Sequence, residues 1–190
     1  MDTVKRMSPK SDQELIEEFR NGKIEGFNEL VRRYQEKTYW LARRLVNTHD
    51  DADDVVQDVF VRVYEGLKRF RGDSEFSTWL YRIVTNVSLN AIRTRRLKDF
   101  IRYDQLMDNL FPDEVTTDAY ILHEEYQTIL GKAIDKLPAK QKLVFIMRYY
   151  DELSYEEIGR ILNKSVGGLK ANYFHALQKI KSYVQREINS

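Results

Sequence analysis

The chain has 190 residues, no cysteine, eight glycines, three prolines and a formal net charge of +1. Without cysteine it offers neither a disulfide scaffold nor a zinc-thiolate site; no apolar run approaches the roughly 18 residues of a membrane span, and the start MDTVKRMSPKSDQE lacks a signal-peptide core. These features predict a cytoplasmic protein with no direct membrane insertion, long enough to bury one large core or two small ones.

Breaks are few, and apolar positions recur at three- and four-residue spacing. The chain is therefore expected to be all-α: two small helical domains joined by a flexible acidic linker, the C-terminal one containing a helix-turn-helix. The boundaries predicted are 1–100, 101–118 and 119–190. Charge alternates along the chain although the total is near zero. The first acidic piece, HDDADDVVQDVFVRVY, carries Asp50, Asp51, Asp53, Asp54 and Asp58 against one arginine. Val56, Val59, Phe60 and Val63 fall on its core side, leaving Asp54, Gln57, Asp58 and Arg62 at the surface. Taken alone, these aspartates read as a solvated helix start favoured by the macrodipole.

Next comes a basic stretch, FRGDSEFSTWLYRIVTNVSLNAIRTRR, from Phe70 to Arg96. A loop around Gly72, Asp73, Ser74 and Glu75 leads into a long helix. Phe76, Leu80, Ile83, Val84, Val87 and Ala91 form its predicted buried face. The same rotation puts Thr78, Arg82, Thr85, Leu89, Arg93 and Arg96 on the exposed side. Asn86 and Asn90, one turn apart on a flank, can donate to and accept from base edges. Phe70, Phe76, Trp79 and Tyr81 offer stacking surfaces for unpaired bases, although a core role is favoured for each, Trp79 included.

From Asp104 to Glu125 there are seven acids and no lysine or arginine. Up to Asp118 this piece has no sustained apolar stripe and contains Pro112, so it is assigned to the linker. A helix is predicted after Asp118 toward Leu137. Pro138 is then placed in the first turn of the following helix, which carries Leu143, Val144, Ile146 and Met147.

The stretch SYEEIGRILNKSVGGLKANYFHALQKIKS, Ser154 to Ser182, reads as a helix, a tight turn and a second helix built to meet DNA. Ser154 and Glu157 have capping-box spacing, and Ser165 is placed to cap the second helix. Val166, Leu169, Tyr173, Leu177, Ile180 and Val184 form the predicted inward stripe. Gly168, Ala171, His175, Gln178 and Ser182 then face away, with Gly167 and Phe174 flanking them on one edge and Asn172 and Lys179 on the other. The start of this helix suits an anionic phosphate.

Three ordered motifs carry a family resemblance: DADDVVQDVFVRVY, FRGDSEFSTWLYRIVTNVSLNAIR and LPAKQKLVFIMRYYDELSYEEIGRILNKSVGGLK. From about Asp12 to Val184 the chain resembles the extracytoplasmic-function (ECF) group of bacterial RNA polymerase sigma factors, in the sigma-70 family. The resemblance implies a protein with no catalytic site, cofactor or small-molecule substrate of its own. Such a protein binds core RNA polymerase and directs it to promoter DNA, and an anti-sigma factor covers its polymerase-binding surfaces.

The resemblance assigns polymerase docking, on the clamp helices of the largest subunit, to Asp54, Gln57, Asp58 and Arg62. It assigns the minus-ten element to Gly72, Asp73, Ser74, Glu75, Phe76 and Ser77, then Arg82, Asn86, Asn90 and Arg93, with a flipped base captured in a pocket of the loop. The minus-thirty-five duplex falls to Lys170, Ala171, Phe174 and His175, with Ser165 and the helix start holding a phosphate. Relatives thread the linker through polymerase channels, where Asp108, Asp113, Glu114 and Asp118 would cover basic surface; the alternative weighed beside it is a solubilising tether. The run GGLKANYFHAL has fewer arginines than many relatives carry, which implies fewer phosphate contacts and a shallower salt dependence. Asn90 stands where an acid is common.

Two alternatives are weighed beside this reading. A helix-turn-helix repressor or activator would bind duplex DNA without polymerase. A metal-dependent hydrolase would use the aspartates, but His49, His123 and His175 are scattered without ligand spacing.

Overall fold

Side-chain caps fix where several of the helices begin. The computed structural model describes residues 10–46, 48–103 and 128–189, the side chains of 96–103 lying outside that description. Helix α1 (Asp12–Arg20) opens on a capping box, in which the Ser11 hydroxyl accepts from the Glu14 N–H and the Glu14 carboxylate accepts from the Ser11 N–H at 2.7 Å. After α2 (Ile24–Leu45), helix α3 (His49–Leu67) starts at Thr48, whose hydroxyl accepts from the Asp51 N–H. A long α4 follows (Phe76–Tyr103), then α5 over 128–135, α6 (Ala139–Tyr149), α7 (Tyr155–Leu162) and α8 (Val166–Ile188). The fold is all-α, with no strand among the described residues.

The acidic linker expected over 101–118 lies outside the described residues except for its first three positions, which continue α4. Pro138 is the N-cap of α6, not a residue of its first turn. Its carbonyl accepts the first helical bonds, from the Gln141 and Lys142 N–H groups at 2.8 and 2.9 Å.

The helix-turn-helix forms as its sequence dictates. Ser154 and Glu157 make the capping box of α7, and the Ser165 hydroxyl accepts from the Gly168 N–H at the start of α8. Between them Asn163 takes a left-handed conformation (φ 52°), and both its N–H and that of Lys164 return to the Gly159 carbonyl. The turn is tight enough that a Cβ on Gly159 would lie 3.0 Å from the Lys164 carbonyl.

In the N-terminal unit, Leu15, Ile16 and Phe19 of α1 pack with Leu30, Leu41 and Leu45 of α2, Val55, Val59, Val63 and Leu67 of α3, and Leu80 and Val84 of α4. The C-terminal unit has a smaller cluster of its own, built from Ala133, Ile134, Leu137, Phe145, Ala176, Ile180 and Val184. The remaining apolar side chains of α6, α7 and the start of α8 join the N-terminal core: Leu143, Val144, Ile146, Met147, Ile158, Ile161 and Leu169 are all part of it. The two units therefore share a hydrophobic seam, in which α6 and α7 lie against α2 and α4. Among the described residues no helix is long and apolar enough to cross a membrane.

Candidate nucleic-acid interface

The predicted sites occupy three surfaces, which the fold treats differently. On α3, Asp54, Gln57, Asp58 and Arg62 are all exposed, and Val61 and Tyr64 extend the same strip as exposed apolar side chains. The five aspartates of this helix are not equivalent. Asp51 is held by Arg95 of α4 and by the Thr48 hydroxyl, while Asp53 lies 3.6 Å from His49. Asp54 and Asp58 make no ion pair among the described residues and keep their charge available. Among the described residues no group of three or more His, Cys, Asp or Glu is placed to hold a metal ion.

The second surface is the loop before α4 and the helix itself. Gly72 sits at φ +77°, where a side chain is strained, and lets the chain turn into α4. Beneath the loop is a hollow of about 400 Å³ walled by Gln13, Tyr34, Phe70, Ser74, Glu75 and Phe76. Tyr34 donates to Asp12, and burial followed by that carboxylate pushes its phenol pKa well up, so it remains a neutral donor. Phe76 is buried, packed edge-on to Tyr34 and Phe70, and so forms wall rather than surface. Trp79 packs against both Phe70 and Phe76.

The face of α4 expected to be open is covered over much of its length. Thr78 and Thr85 are only 9% and 3% exposed, a correction to the sequence reading. The physical reason is α7, which lies across this face. Arg82 is exposed in part, yet its Nη2 and Nε donate to the Arg160 carbonyl at 2.6 and 3.2 Å. That carbonyl belongs to the last turn of α7, where main-chain acceptors lack helical partners, so Arg82 acts as a C-terminal cap. Asn86 is exposed at the rim of the seam. Asn90 and Arg93 are exposed as well, and the Arg96 side chain is outside the description.

The third surface is α8. Lys170, Ala171, Phe174 and His175 are all exposed, with Phe174 edge-on to His175 at 5.8 Å between ring centres. Lys170 extends over the Tyr155 ring, and the Asn172 amide is engaged by the Gly168 carbonyl at 2.8 Å. Ser165 is exposed and already used as the N-cap. The inward stripe runs through Leu169, Ala176, Ile180 and Val184. Leu177, expected inside, is 42% exposed, because Ala176 meets the α5–α6 cluster in its place. Its exposure widens the apolar part of the α8 surface beyond Phe174.

Sequence reasoning missed the polar arms of the seam. Arg44 of α2 reaches Asp151 at 3.4 Å and lies over the Tyr150 ring at 4.4 Å. Lys142 of α6 is buried, donating to the Leu45 carbonyl at 3.2 Å and to Asp135 at 2.7 Å. One signal was available: Leu143 to Met147 is apolar at every position, which a helix with a single buried face does not need.

Asp151 is only half satisfied, its Oδ1 facing Arg44 and its Oδ2 buried without a hydrogen-bond partner. Burial pushes its carboxyl up to about 6, against the pull of Arg44 and Lys37. Packed, it holds a proton more tightly than unfolded, so protonation favours the packed form. Its stabilising contribution is complete below the ordinary carboxylate range and is lost as pH rises through about 6. Asp151→Asn is therefore expected to raise the melting temperature at pH 7 by about 2–4 °C. The difference from the parent should shrink toward zero as the pH is lowered to 4. Thermal melts of both proteins across that range check it, and a constant difference would assign the effect to packing.

Comparison with known proteins places these surfaces in a family. The family model Sigma-70 region 2 matches residues 30–98, and Sigma-70, region 4 matches 127–180. The ECF RNA polymerase sigma-E factor of Escherichia coli (strain K12) is 35% identical over 182 residues, covering 92% of this chain and 95% of that protein. CnrH, solved in complex with the cytosolic domain of CnrY, has the same fold at a TM-score of 0.68 and 22% identity, over 92% of this chain and 97% of that one. The sigma factor RpoE from Bartonella quintana, solved in complex with the anti-sigma factor NepR, matches at 0.64 and 20% identity, over 84% and 96%.

Proposed function

The chain belongs to the ECF RNA polymerase sigma factors of the sigma-70 family and is an alternative sigma factor, and from that premise we propose how its surfaces divide the work. Asp54, Gln57, Asp58 and Arg62 of α3 dock on core RNA polymerase. The loop Gly72 to Ser77, with Arg82, Asn86, Asn90 and Arg93, takes the minus-ten element. Lys170, Ala171, Phe174 and His175 of α8 take the minus-thirty-five duplex, and Ser165 marks the helix start that faces a phosphate.

The observation that carries this reading is the order of parts in one chain. A region 2 unit presenting unpaired carboxylates on α3 precedes a region 4 unit whose α8 face is open. The chemistry is binding and positioning, with no reaction assigned to the protein itself, and it takes place where RNA polymerase works, in the cytoplasm. A base leaving the non-template strand loses a few kcal/mol of stacking and pairing. The hollow under the Gly72 loop has the aromatic wall and the Ser74 and Glu75 acceptors that can offset this. On α8, Ala171 and Phe174 suit apolar contact with thymine methyl groups. An anti-sigma factor is a proposed partner, by extension from the RpoE–NepR complex.

Promoter-directed transcription by core RNA polymerase, with and without the protein, on a pool of genomic fragments tests the reading. Sequenced transcript starts should share two upstream elements at fixed separation. No stimulation, with tight retention of a specific duplex by the protein alone, would favour the duplex-binding repressor instead.

A further inference from the structure

Helix α1 lies outside the stretch matched by the region 2 model, which begins at residue 30, yet it forms one side of the hollow beneath the Gly72 loop. Asp12, Gln13 and Ile16 line that hollow together with Gly72, Ser74 and Glu75 of the loop. Both ends of α1 are tied to the frame around it. At its start the two Asp12 oxygens are taken, one by Arg33 at 3.1 Å and the other by the Tyr34 hydroxyl. At its end Arg20 donates to the carbonyl of Phe70, the residue from which the loop departs. Leu15, Ile16 and Phe19 are buried between these anchors. A side chain carried by α1 is therefore presented from a rigid element, as selective recognition requires.

Gln13 is exposed and takes no part in the core, so its position at the hollow is not explained by packing. Its Nε2 donates to Glu17 at 3.3 Å. A carboxylate only accepts, so the NH2 end of the amide is turned to Glu17 and the Oε1 end is left over. That oxygen stands 4.0 Å from where a Cβ on Gly72 would lie, beside the turn over the hollow. Among the described residues no donor reaches it. The Tyr34 hydroxyl is committed to Asp12 and the Ser77 hydroxyl is turned to Glu75 at 3.5 Å. What the hollow presents to a ligand is thus weighted toward acceptors, the Gln13 oxygen on one side and the Glu75 carboxylate on the other.

Resting on the functional assignment above, in which this hollow receives a base of the minus-ten element, we propose that Gln13 is a specificity-determining residue of the pocket: its Oε1 accepts from the exocyclic amine of the captured base. Adenine and cytosine carry an amine where guanine and thymine carry a carbonyl. A carbonyl there would meet Oε1 acceptor to acceptor, so the pocket selects amino over keto bases. The loop admits the base, and α1 discriminates.

Transcription by core polymerase with the full chain, on promoters randomised across the minus-ten element and read by sequencing the transcripts, tests this. With the parent, one position should favour A and C over G and T. Gln13→Ala should cut that preference about fivefold, the worth of one neutral hydrogen bond. Gln13→Lys, which offers a donor in place of the acceptor, should move it further toward G and T. Preferences at the other minus-ten positions and in the minus-thirty-five element should not move. An analogue of the favoured base without its exocyclic amine should lower transcription by the parent about fivefold and leave Gln13→Ala unaffected. Ratios taken within one reaction cancel any loss of folding or of overall affinity, so a damaged variant does not imitate the result.

A parent that favours no amino base at any minus-ten position overturns the proposal. So does a preference that survives both Gln13 substitutions unchanged, which would leave the choice to the loop alone. Either result keeps the sigma-factor assignment, because transcription still begins at defined sites. No promoter-directed transcription by the parent would sink that assignment and the proposal with it.

Discussion

Gly26→Ala is expected to destabilise the protein by about 3 kcal/mol, at the upper end of what forcing one extra carbon into a packed site usually costs. Gly26 lies in α2 where α1 crosses it. A Cβ there would fall 2.2 Å from the Leu15 carbonyl oxygen and 3.0 Å from the Phe19 nitrogen. Both are main-chain atoms of α1, so relief requires the whole helix to move, and α1 is anchored by Leu15, Ile16 and Phe19, all buried. Helix propensity acts the other way, since alanine inside a helix is favoured over glycine by about 1 kcal/mol. The close crossing outweighs it. Thermal or urea unfolding measures the sum, with a melting temperature lower by about 6–12 °C for a chain of this size. A neutral or stabilised alanine variant would mean that α1 does not cross α2 at this distance.

That crossing illustrates what could be read from the residues and what could not. Capping residues announce helix starts locally, and the Ser154–Glu157 box and the Ser165 cap were legible for that reason. The exposed strip on α3 was legible because the residues read as its core side, Val56, Val59, Phe60 and Val63, leave Asp54 and Asp58 outward by rotation, although the fully buried stripe runs through Val55, Val59 and Val63 with Val56 and Phe60 only partly covered. Periodicity reports the angle at which a side chain leaves its helix but not what lies opposite. Thr78 and Thr85 project away from the apolar stripe of α4, and threonine is at home both at a surface and under a neighbouring helix. Only the position of α7, set by contacts distant in sequence, decides between the two. Leu177 failed for a related reason: Ala176, one residue away, is small enough to let α8 approach the α5–α6 cluster, and the leucine is turned outward.

Charge reversal at Asp54 and Asp58 together, each to lysine, is expected to weaken assembly with core RNA polymerase on the order of 100-fold. Like charges placed opposite one another at an interface cost several kcal/mol. Folding stability should stay within about 0.5 kcal/mol, as for exposed side chains that hold no structural partner. The helix macrodipole does not account for these two residues. Its effect falls off within the first turn, and α3 already has Asp50 and Asp51 there. Asp54 lies in the second turn and Asp58 in the third, where unpaired negative charge repels its neighbours without compensation from the helix end. A surface that retains such charge beside exposed Val61 and Tyr64 suits a partner that is both basic and apolar.

Two reversals on the same helix make the test specific. Asp50→Lys makes the same charge change as either single reversal, half that of the pair, but in the first turn, and it should leave assembly within about threefold, because long-range effects are screened beyond roughly 8 Å at physiological salt. Asp51→Lys breaks the contacts with Arg95 and Thr48, so it should lower stability and affect assembly only through folding. Titration of labelled core polymerase with each variant, at low and at physiological salt, separates the cases. If Asp50→Lys weakened assembly as much as the double reversal, net charge rather than this face would be responsible. If the double reversal left assembly intact, polymerase must dock elsewhere, and the exposed apolar pair Val61 and Tyr64 would need a different partner.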